Sequence, residues 1–224
     1  KLIEGDIRNL DTCLKAVNGV DVVFHEAALG SIPRSIDDPI TTNAVNISGF
    51  LNMLVAARNA KIDRFIFAAS SSAYGDNETI PKVEDTIGKP LSPYALTKYV
   101  DELYAHVFSI TYGLKYIGIR YFNVFGRRQD PNSAYAAVIP LFIKKILKHE
   151  QPIINGDGSN SRDFTYIDNI IHINMLALET LSPKAFNQIY NGAGGENTSV
   201  LELEQLITKN LSAYDNCIDC IVPI

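Results

Sequence analysis

The 224-residue sequence predicts an α/β fold: a parallel sheet with helices on both faces. Three observations carry that prediction. Short apolar runs alternate with long helical patterns through the first ~125 residues, as parallel strands joined by crossover helices require. The runs at 21–25, 64–69 and 116–121 are apolar almost throughout, as in strands buried on both faces. A composition of 46% hydrophobic and 20% charged residues suits a chain that buries a sizeable core, which excludes a disordered tail, a collagen-like repeat and a small disulfide scaffold.

The elements follow in order. Residues 3–7 read as the end of a strand and 12–18 as a short helix with Leu14 and Val17 on one side. The strand at 21–25 leads into a loop containing Pro33 and Pro39. Residues 41–60 form a long helical pattern with Ala44, Ile47, Leu51 and Leu54 on one stripe. After the strand at 64–69 comes a second long helix at 92–112, with Ser92 as N-cap and Pro93 in its first turn. The strand at 116–121, a helix at 136–149, a short strand at 188–190 and a last helix at 200–211 complete the reading. Gly126, Pro131, Gly156 and Gly158 loosen the pattern after Phe125. Residues 1–125 therefore read as a parallel-sheet domain, and 126–224 as a smaller, substrate-facing lobe whose strand near 185–191 returns to the sheet. Met175 and Leu178 read as core, and Gly192-x-Gly194-Gly195 as a turn.

Charge and cysteine content narrow the function classes. A formal charge of −5 argues against a nucleic-acid or anionic-membrane binder. No apolar run approaches the ~20 residues of a spanning segment, and no basic-then-apolar start reads as a signal peptide. Three Cys suit a reducing cytoplasm. Cys217-x-x-Cys220 has no second Cys pair, and the four His are scattered, so no metal site is expected. The chain starts at Lys1 and stops at Ile224 within an apolar stretch, so it is expected to be part of a longer protein.

The chemistry concentrates in two segments. Tyr94-x-x-x-Lys98 places a phenol and an ammonium on one helix face. A fixed ammonium stabilises the phenolate and lets a tyrosine act as a base nearer neutral pH; the rival reading is a plain surface pair. Ser70-Ser71-Ser72 sits where a buried strand meets a loop, the carboxyl end at which open α/β sheets bind ligands. A serine there can hydrogen-bond a substrate hydroxyl and share its proton with the tyrosine. The rival is a loop that is merely polar.

With these segments in place the chain resembles the extended short-chain dehydrogenase/reductases of the nucleotide-sugar epimerase/dehydratase group. The resemblance rests on Glu4-Gly5-Asp6-Ile7, His25-Glu26-Ala27-Ala28, Asn43-x-x-Asn46, Ser70-Ser71-Ser72-x-Tyr74-Gly75, Tyr94-x-x-x-Lys98, Arg120-Tyr121-Phe122-Asn123-Val124, Gly156-Asp157-Gly158 and Arg162-Asp163-Phe164. It is nearest to UDP-hexose 4-epimerases, including those of N-acetylhexosamines and hexuronic acids for surface polysaccharide. It implies a Rossmann-type fold, NAD as cofactor and a UDP-sugar as substrate. Asp6 and Ile7 match positions at the adenine. Ala27 and Ala28 match backbone passing the pyrophosphate and ribose, Asn43 an asparagine near the nicotinamide, and Tyr121 a position on the strand leading to it. Ser70 matches the catalytic Ser/Thr, Tyr94 the base and Lys98 the lysine on the nicotinamide ribose. Ser71 and Ser72 match sugar contacts, Asn123 a phosphate contact, and Asn155 and Arg162 the uridine and diphosphate pocket. An arginine suits a diphosphate because its planar fork donates to two oxygens at once.

The departures from the family pattern are equally informative. The Gly-x-x-Gly-x-x-Gly turn that lays a pyrophosphate on a helix N-terminus is not among the 224 residues. A dehydratase carries Asp-Glu just after the catalytic Ser/Thr, where this sequence has Ser71-Ser72. The expected activity is C4 epimerisation through a 4-keto sugar. A reductase or dehydratase of the same group, or a non-catalytic remnant, is the alternative, and the fragment alone is expected to be inactive. Apolar residues on more than one face of 41–60 (Val45, Met53) and 92–112 (Leu96, Val100, Leu103, Val107) add the expectation of a homodimer through these helices.

Overall fold

The structure, a computed structural model, describes residues 1–132 and 136–213. Its main sheet has four parallel strands in the order β1-β2-β3-β5: β1 Val22–His25, β2 Arg64–Ser70, β3 Tyr116–Tyr121 and β5 Gln188–Gly192. Alternation along β2 divides the core. Phe65, Phe67 and Ala69 join Phe50, Leu54, Ala105 and Phe108 on one face, and Ile66 joins Ile117, Ile119 and Ala177 on the other. The expected parallel α/β architecture is present.

Two compact units divide the chain, residues 1–121 with 171–192, and residues 122–170 with those from 193 onward. The first holds the parallel sheet. Its helices are α1 Leu10–Ala16, α2 Ile32–Asp37, α3 Pro39–Asn43, α4 Phe50–Ala60 and α5 Pro93–Tyr112. Residues 3–7 form no strand. The Ile7 carbonyl instead accepts from Cys13 Sγ at 3.2 Å and Asn52 Nδ2 at 3.0 Å, so side chains take the place of a ladder. The expected loop at Pro33 and Pro39 is helical. Ser31 and Asp38 cap α2 and α3, and each proline sits in a first turn, where its missing N–H costs nothing.

A π-helical segment, Ala44–Gly49, links α3 to α4 in one continuous helix, Pro39–Ala60. That helix is long and apolar enough to cross a membrane, but Phe50, Leu54, Ala56 and Ala57 are sealed into the core, the behaviour of a buried helix in a globular unit. Met53, expected to flank this helix's core stripe, is itself in the core at 8% exposure.

In the second unit α6, Val138–Ile146, packs on α8, Val200–Ser212, through Phe142, Ile146, Ile207 and Leu211. Ser199 opens α8 with a reciprocal capping box to Glu202. The two-residue strands β4, Ser161–Arg162, and β6, Thr198–Ser199, pair antiparallel. Helix α7, Ile167–Glu179, was unreadable in the sequence because its apolar residues lie on several sides. Ile171, Met175 and Leu176 face outward, so Met175 is not core, whereas Ala177 and Leu178 pack on the sheet.

Candidate active site

Ser70 ends β2 and caps the 3-10 turn Ser71–Tyr74, with its Oγ accepting the Ser72 N–H at 3.2 Å and lying 2.8 Å from the Ser72 hydroxyl. Strand register sets Ser70 opposite Tyr121, and Tyr121 opposite Gly192, so three strand ends form one row. Ser70 is buried, with Ser71 and Ser72 half-buried beside it. The turn closes on Gly75 at φ +56, where a Cβ would sit 1.9 Å from the Lys89 carbonyl oxygen. Only glycine fits that approach.

Helix α5 begins where the sequence placed it, with the Ala95 N–H donating to Ser92 Oγ at 3.1 Å and Pro93 in the first turn. Tyr94, Lys98, Asp101, Ala105 and Phe108 follow one stripe at spacings of four, three, four and three. Lys98 is buried, and its Nζ donates to the Ala68 carbonyl at 2.8 Å, two residues before Ser70. That bond fixes the helix carrying Tyr94, itself half-buried, to the strand that delivers the serines. Asp101 Oδ2 lies 3.5 Å from Lys98 Nζ. Among the described residues Asp101 Oδ1, also buried, has no partner. Burial pushes the Asp101 carboxyl up to about 7; Lys98 pulls it down and Glu102 adds to the rise.

The end of β1 supplies the third wall. His25 lies between Phe50 and Phe65, and burial, with the Lys98 charge, lowers its imidazole to about 4. Glu26 Oε1 accepts the Tyr121 hydroxyl at 2.9 Å, and Asn174 Nδ2 donates to the same phenol oxygen at 2.8 Å. Burial and the Glu26 charge push Tyr121 well above a normal phenol. Ala27 and Ala28 continue this loop, which Asn46 clamps: its Oδ1 accepts the Leu29 N–H at 2.8 Å, and its Nδ2 donates to the Leu29 carbonyl at 3.2 Å and to Thr97 Oγ1 at 3.0 Å. Asn43 is exposed, whereas Asn46, three residues on and inside the π-helical segment, is 1% exposed. The sequence motif contained both asparagines; only the path of the helix selects the inward one. Asp6 is exposed, and Arg8 beside it holds its carboxyl down at about 2. Ile7 packs at the edge of the core.

A second buried ion pair backs the same helix. Arg120 on β3 donates from Nε and Nη2 to Glu102 at 2.8 and 2.7 Å, from Nη1 to the Glu84 carbonyl at 2.9 Å, and lies 4.7 Å over the Tyr74 ring. Tyr74 in turn donates to Asn191 Oδ1 on β5 at 2.7 Å.

The remaining expected site residues belong to the second unit. Asn123, at φ 28, donates from Nδ2 to the Asp163 carbonyl at 3.0 Å. Arg162 is exposed on β4 and bonds the Ser161 carbonyl at 2.7 Å, and Asn155 is exposed just before the turn at 156–157. Asp163, unassigned by sequence, holds the Gly194 and Gly195 N–H groups at 2.9 and 2.8 Å and Thr165 Oγ1 at 3.1 Å. The glycine segment is thus a turn built on a carboxylate. Cys217 and Cys220 lie outside the described residues.

A parallel, doubly covered sheet, with the helix of Tyr94 and Lys98 bonded through Lys98 to the strand that ends in Ser70, defines a Rossmann-type protein of the short-chain dehydrogenase/reductase kind. Residues 1–192 match the model of the NAD dependent epimerase/dehydratase family, and the chain belongs to that family. It is 39% identical over 213 residues to a putative UDP-glucose 4-epimerase of Methanocaldococcus jannaschii, covering 94% of this chain and 68% of that one. Among solved structures it is similar to the UDP-N-acetylglucosamine 4-epimerase of Methanobrevibacter ruminantium in complex with UDP-N-acetylmuramic acid. There the TM-score is 0.88 at 42% identity, with 94% of this chain and 66% of that one covered. The UDP-glucuronic acid 4-epimerase of Bacillus cereus, in complex with UDP-glucuronic acid and NAD, gives a TM-score of 0.84 at 34% identity and 92% coverage of this chain. The chain spans 64% of the length of that enzyme and 58% of an uncharacterized UDP-glucose epimerase of Bacillus subtilis.

Proposed function

We propose that the protein containing this chain is an NAD-dependent UDP-sugar 4-epimerase. The observation that carries the reading is the Lys98–Ala68 bond, which locks the Tyr94 helix to the strand ending in Ser70. The donor set fits the nicotinamide-ribose half of the cofactor: a buried ammonium, a half-buried phenol one helical turn before it and a hydroxyl at the strand end. Lys98 and Tyr94 would hold that ribose, with Tyr121 and the Ala27–Ala28 backbone beside them, and Asp6 and Ile7 would meet the adenine. Held there, NAD would supply a reversible hydride acceptor.

The chain's own residues handle the proton. Tyr94, one helical turn from the Lys98 ammonium, takes the proton of the sugar 4-hydroxyl and gives it back after the keto sugar turns. Ser70 Oγ already accepts the Ser72 N–H, so its own O–H is left to donate to the sugar oxygen. Ser71 and Ser72 contact the sugar, and Asn123, Asn155 and Arg162 serve the UDP moiety. Ser71-Ser72 in place of an acid–base pair disfavours water elimination. The wider role is supply of nucleotide sugars for surface polysaccharide in the cytoplasm.

The test is to incubate the gene product with UDP-glucose, UDP-N-acetylglucosamine and UDP-glucuronic acid and look by NMR for the C4 epimer. Tyr94→Phe is expected to cut turnover by about 10²–10⁴-fold with UDP-sugar affinity retained. Unchanged turnover removes Tyr94 as the base, and no epimer from any UDP-sugar removes the function. The same reading makes the protein a homodimer through helices 41–60 and 92–112. Leu96, Leu103, Val107 and Ile110 form an exposed apolar stripe on α5, away from the stripe of Lys98. Sedimentation at low micromolar concentration should give twice the chain mass; a monomer mass unchanged by concentration discards the dimer.

A further inference from the structure

Asp101 is an anomaly on its helix. It occupies the inward stripe of α5, between Lys98 and Ala105, where an apolar side chain would cost nothing to bury. It is 1% exposed, one oxygen has no partner among the described residues, and the other reaches only Lys98, at 3.5 Å. A carboxylate taken out of water with half its hydrogen bonds unmade is costly, and such a group persists where it serves something else. The something else is on the same stripe. Lys98 is equally buried, and its carbonyl partner on Ala68 is neutral, so the buried ammonium needs a counter-charge close by. Among the described residues no other acid makes an ion-pair contact with Lys98. His25 is held neutral by burial, Glu26 feels the lysine's charge from a distance but is turned to the Tyr121 hydroxyl, and Glu102 is bound by both oxygens to Arg120.

We propose that Asp101 is a positioning residue that acts through Lys98: its ionised carboxylate pairs with the ammonium and keeps it aimed, and its protonation releases it. This rests on the reading of Tyr94 and Lys98 as the proton-handling pair. Asp101 touches neither sugar nor cofactor in this account. Because its carboxyl is pushed up to about 7, the device works within the physiological range. Above that point the lysine has its counter-ion; below it, the pair is broken without any change in fold.

Asp101→Asn keeps the shape and fixes the protonated condition permanently. In the complete gene product, kcat of the variant is expected to be about tenfold below wild type at pH 8.5, with KM for the UDP-sugar within twofold. The ratio should narrow toward one at pH 5.5, where wild-type Asp101 is protonated too. In a Lys98→Met background the added Asp101→Asn change should lower kcat by no more than twofold, since the lysine through which it acts is gone. A kcat ratio constant from pH 5.5 to 8.5, or an undiminished effect in the Lys98→Met background, overturns the proposal. A readout independent of turnover separates this from failure of the epimerase reading. A carboxyl raised in the folded state gives stability that is present at low pH and lost as pH rises through about 7. The unfolding midpoint of Asp101→Asn relative to wild type should therefore climb between pH 5 and pH 8. If that difference is flat, Asp101 is not a titrating buried group and the proposal fails whatever the enzyme does. Should the asparagine variant not fold, the Lys98→Met/Asp101→Asn protein, neutral at both positions, carries the same midpoint measurement against Lys98→Met alone.

Discussion

Asp101 and Glu102 are neighbours on α5, both buried beside a cation, and they are served in opposite ways. Glu102 has both oxygens bonded to the fork of Arg120, whose third nitrogen donates to the Glu84 carbonyl. Asp101 has one long contact to an ammonium already bonded elsewhere, and one oxygen without a partner among the described residues. The first region is complete without a ligand. It joins α5 to β3, to the loop at Glu84 and, through Tyr74 and Asn191, to β5. The second is left under-satisfied on the stripe of α5 that carries Tyr94 and Lys98. A saturated polar network sets a structure, whereas an unsaturated one can respond to a proton or to a bound molecule.

The largest effect should come from breaking the saturated region. Glu102→Ala leaves a buried guanidinium unpaired and is expected to cost about 3–5 kcal/mol in denaturant unfolding. A loss below ~1 kcal/mol would place this pair with ordinary surface bridges and erase the contrast. Replacing both partners, Arg120→Met with Glu102→Leu, should recover at least half of that loss, because no orphaned charge remains. The smallest effect sharpens the other side. His25, beside Lys98, has its imidazole lowered to about 4, so the stability tied to its neutrality is present above pH 6.5 and fades as pH falls toward 4. Asp101 works with the opposite sign across nearly the same interval, which should leave the wild type almost flat there. His25→Gln removes one of the two slopes. Its stability relative to wild type should be higher at pH 4.5 than at pH 7, by up to about 3 kcal/mol. An identical difference at both values would show that His25 does not titrate in isolation from its surroundings.

The sheet was legible because burial on both faces writes itself as unbroken apolar runs, and β1, β2 and β3 lie within a residue of where those runs fall. The start of α5 was legible for a local reason, a serine cap followed by proline. Helix α7 was not, because it exposes Ile171, Met175 and Leu176 and so has no clean stripe. Residues 3–7 look like a strand by composition, yet strand formation needs a partner, and that information is not local. In the site, Ser70, Tyr94 and Lys98 stood out through spacing. Asn46 did not separate from Asn43, since which of the two turns inward depends on the helix between them. Asp101 and Asp163 received no role from the sequence, since a carboxylate on a helix or in a loop motif is set apart only by its burial and its backbone partners.

The π-helical segment Ala44–Gly49 has a consequence for how the sequence tolerates insertion and deletion. A π-turn spends one residue more than an α-turn for the same rise. Losing any single residue from this segment would let the helix relax to regular α geometry, with its backbone bonds intact and a turn of roughly 100° between the parts on either side. Asn46 would then leave Leu29 and Thr97, or Phe50 and Leu54 would leave the core. A side-chain change at exposed Ser48 should pass unnoticed. The segment therefore acts as a spacer whose length is fixed more tightly than its composition, and a one-codon deletion there would yield a well-formed helix around a dismantled loop.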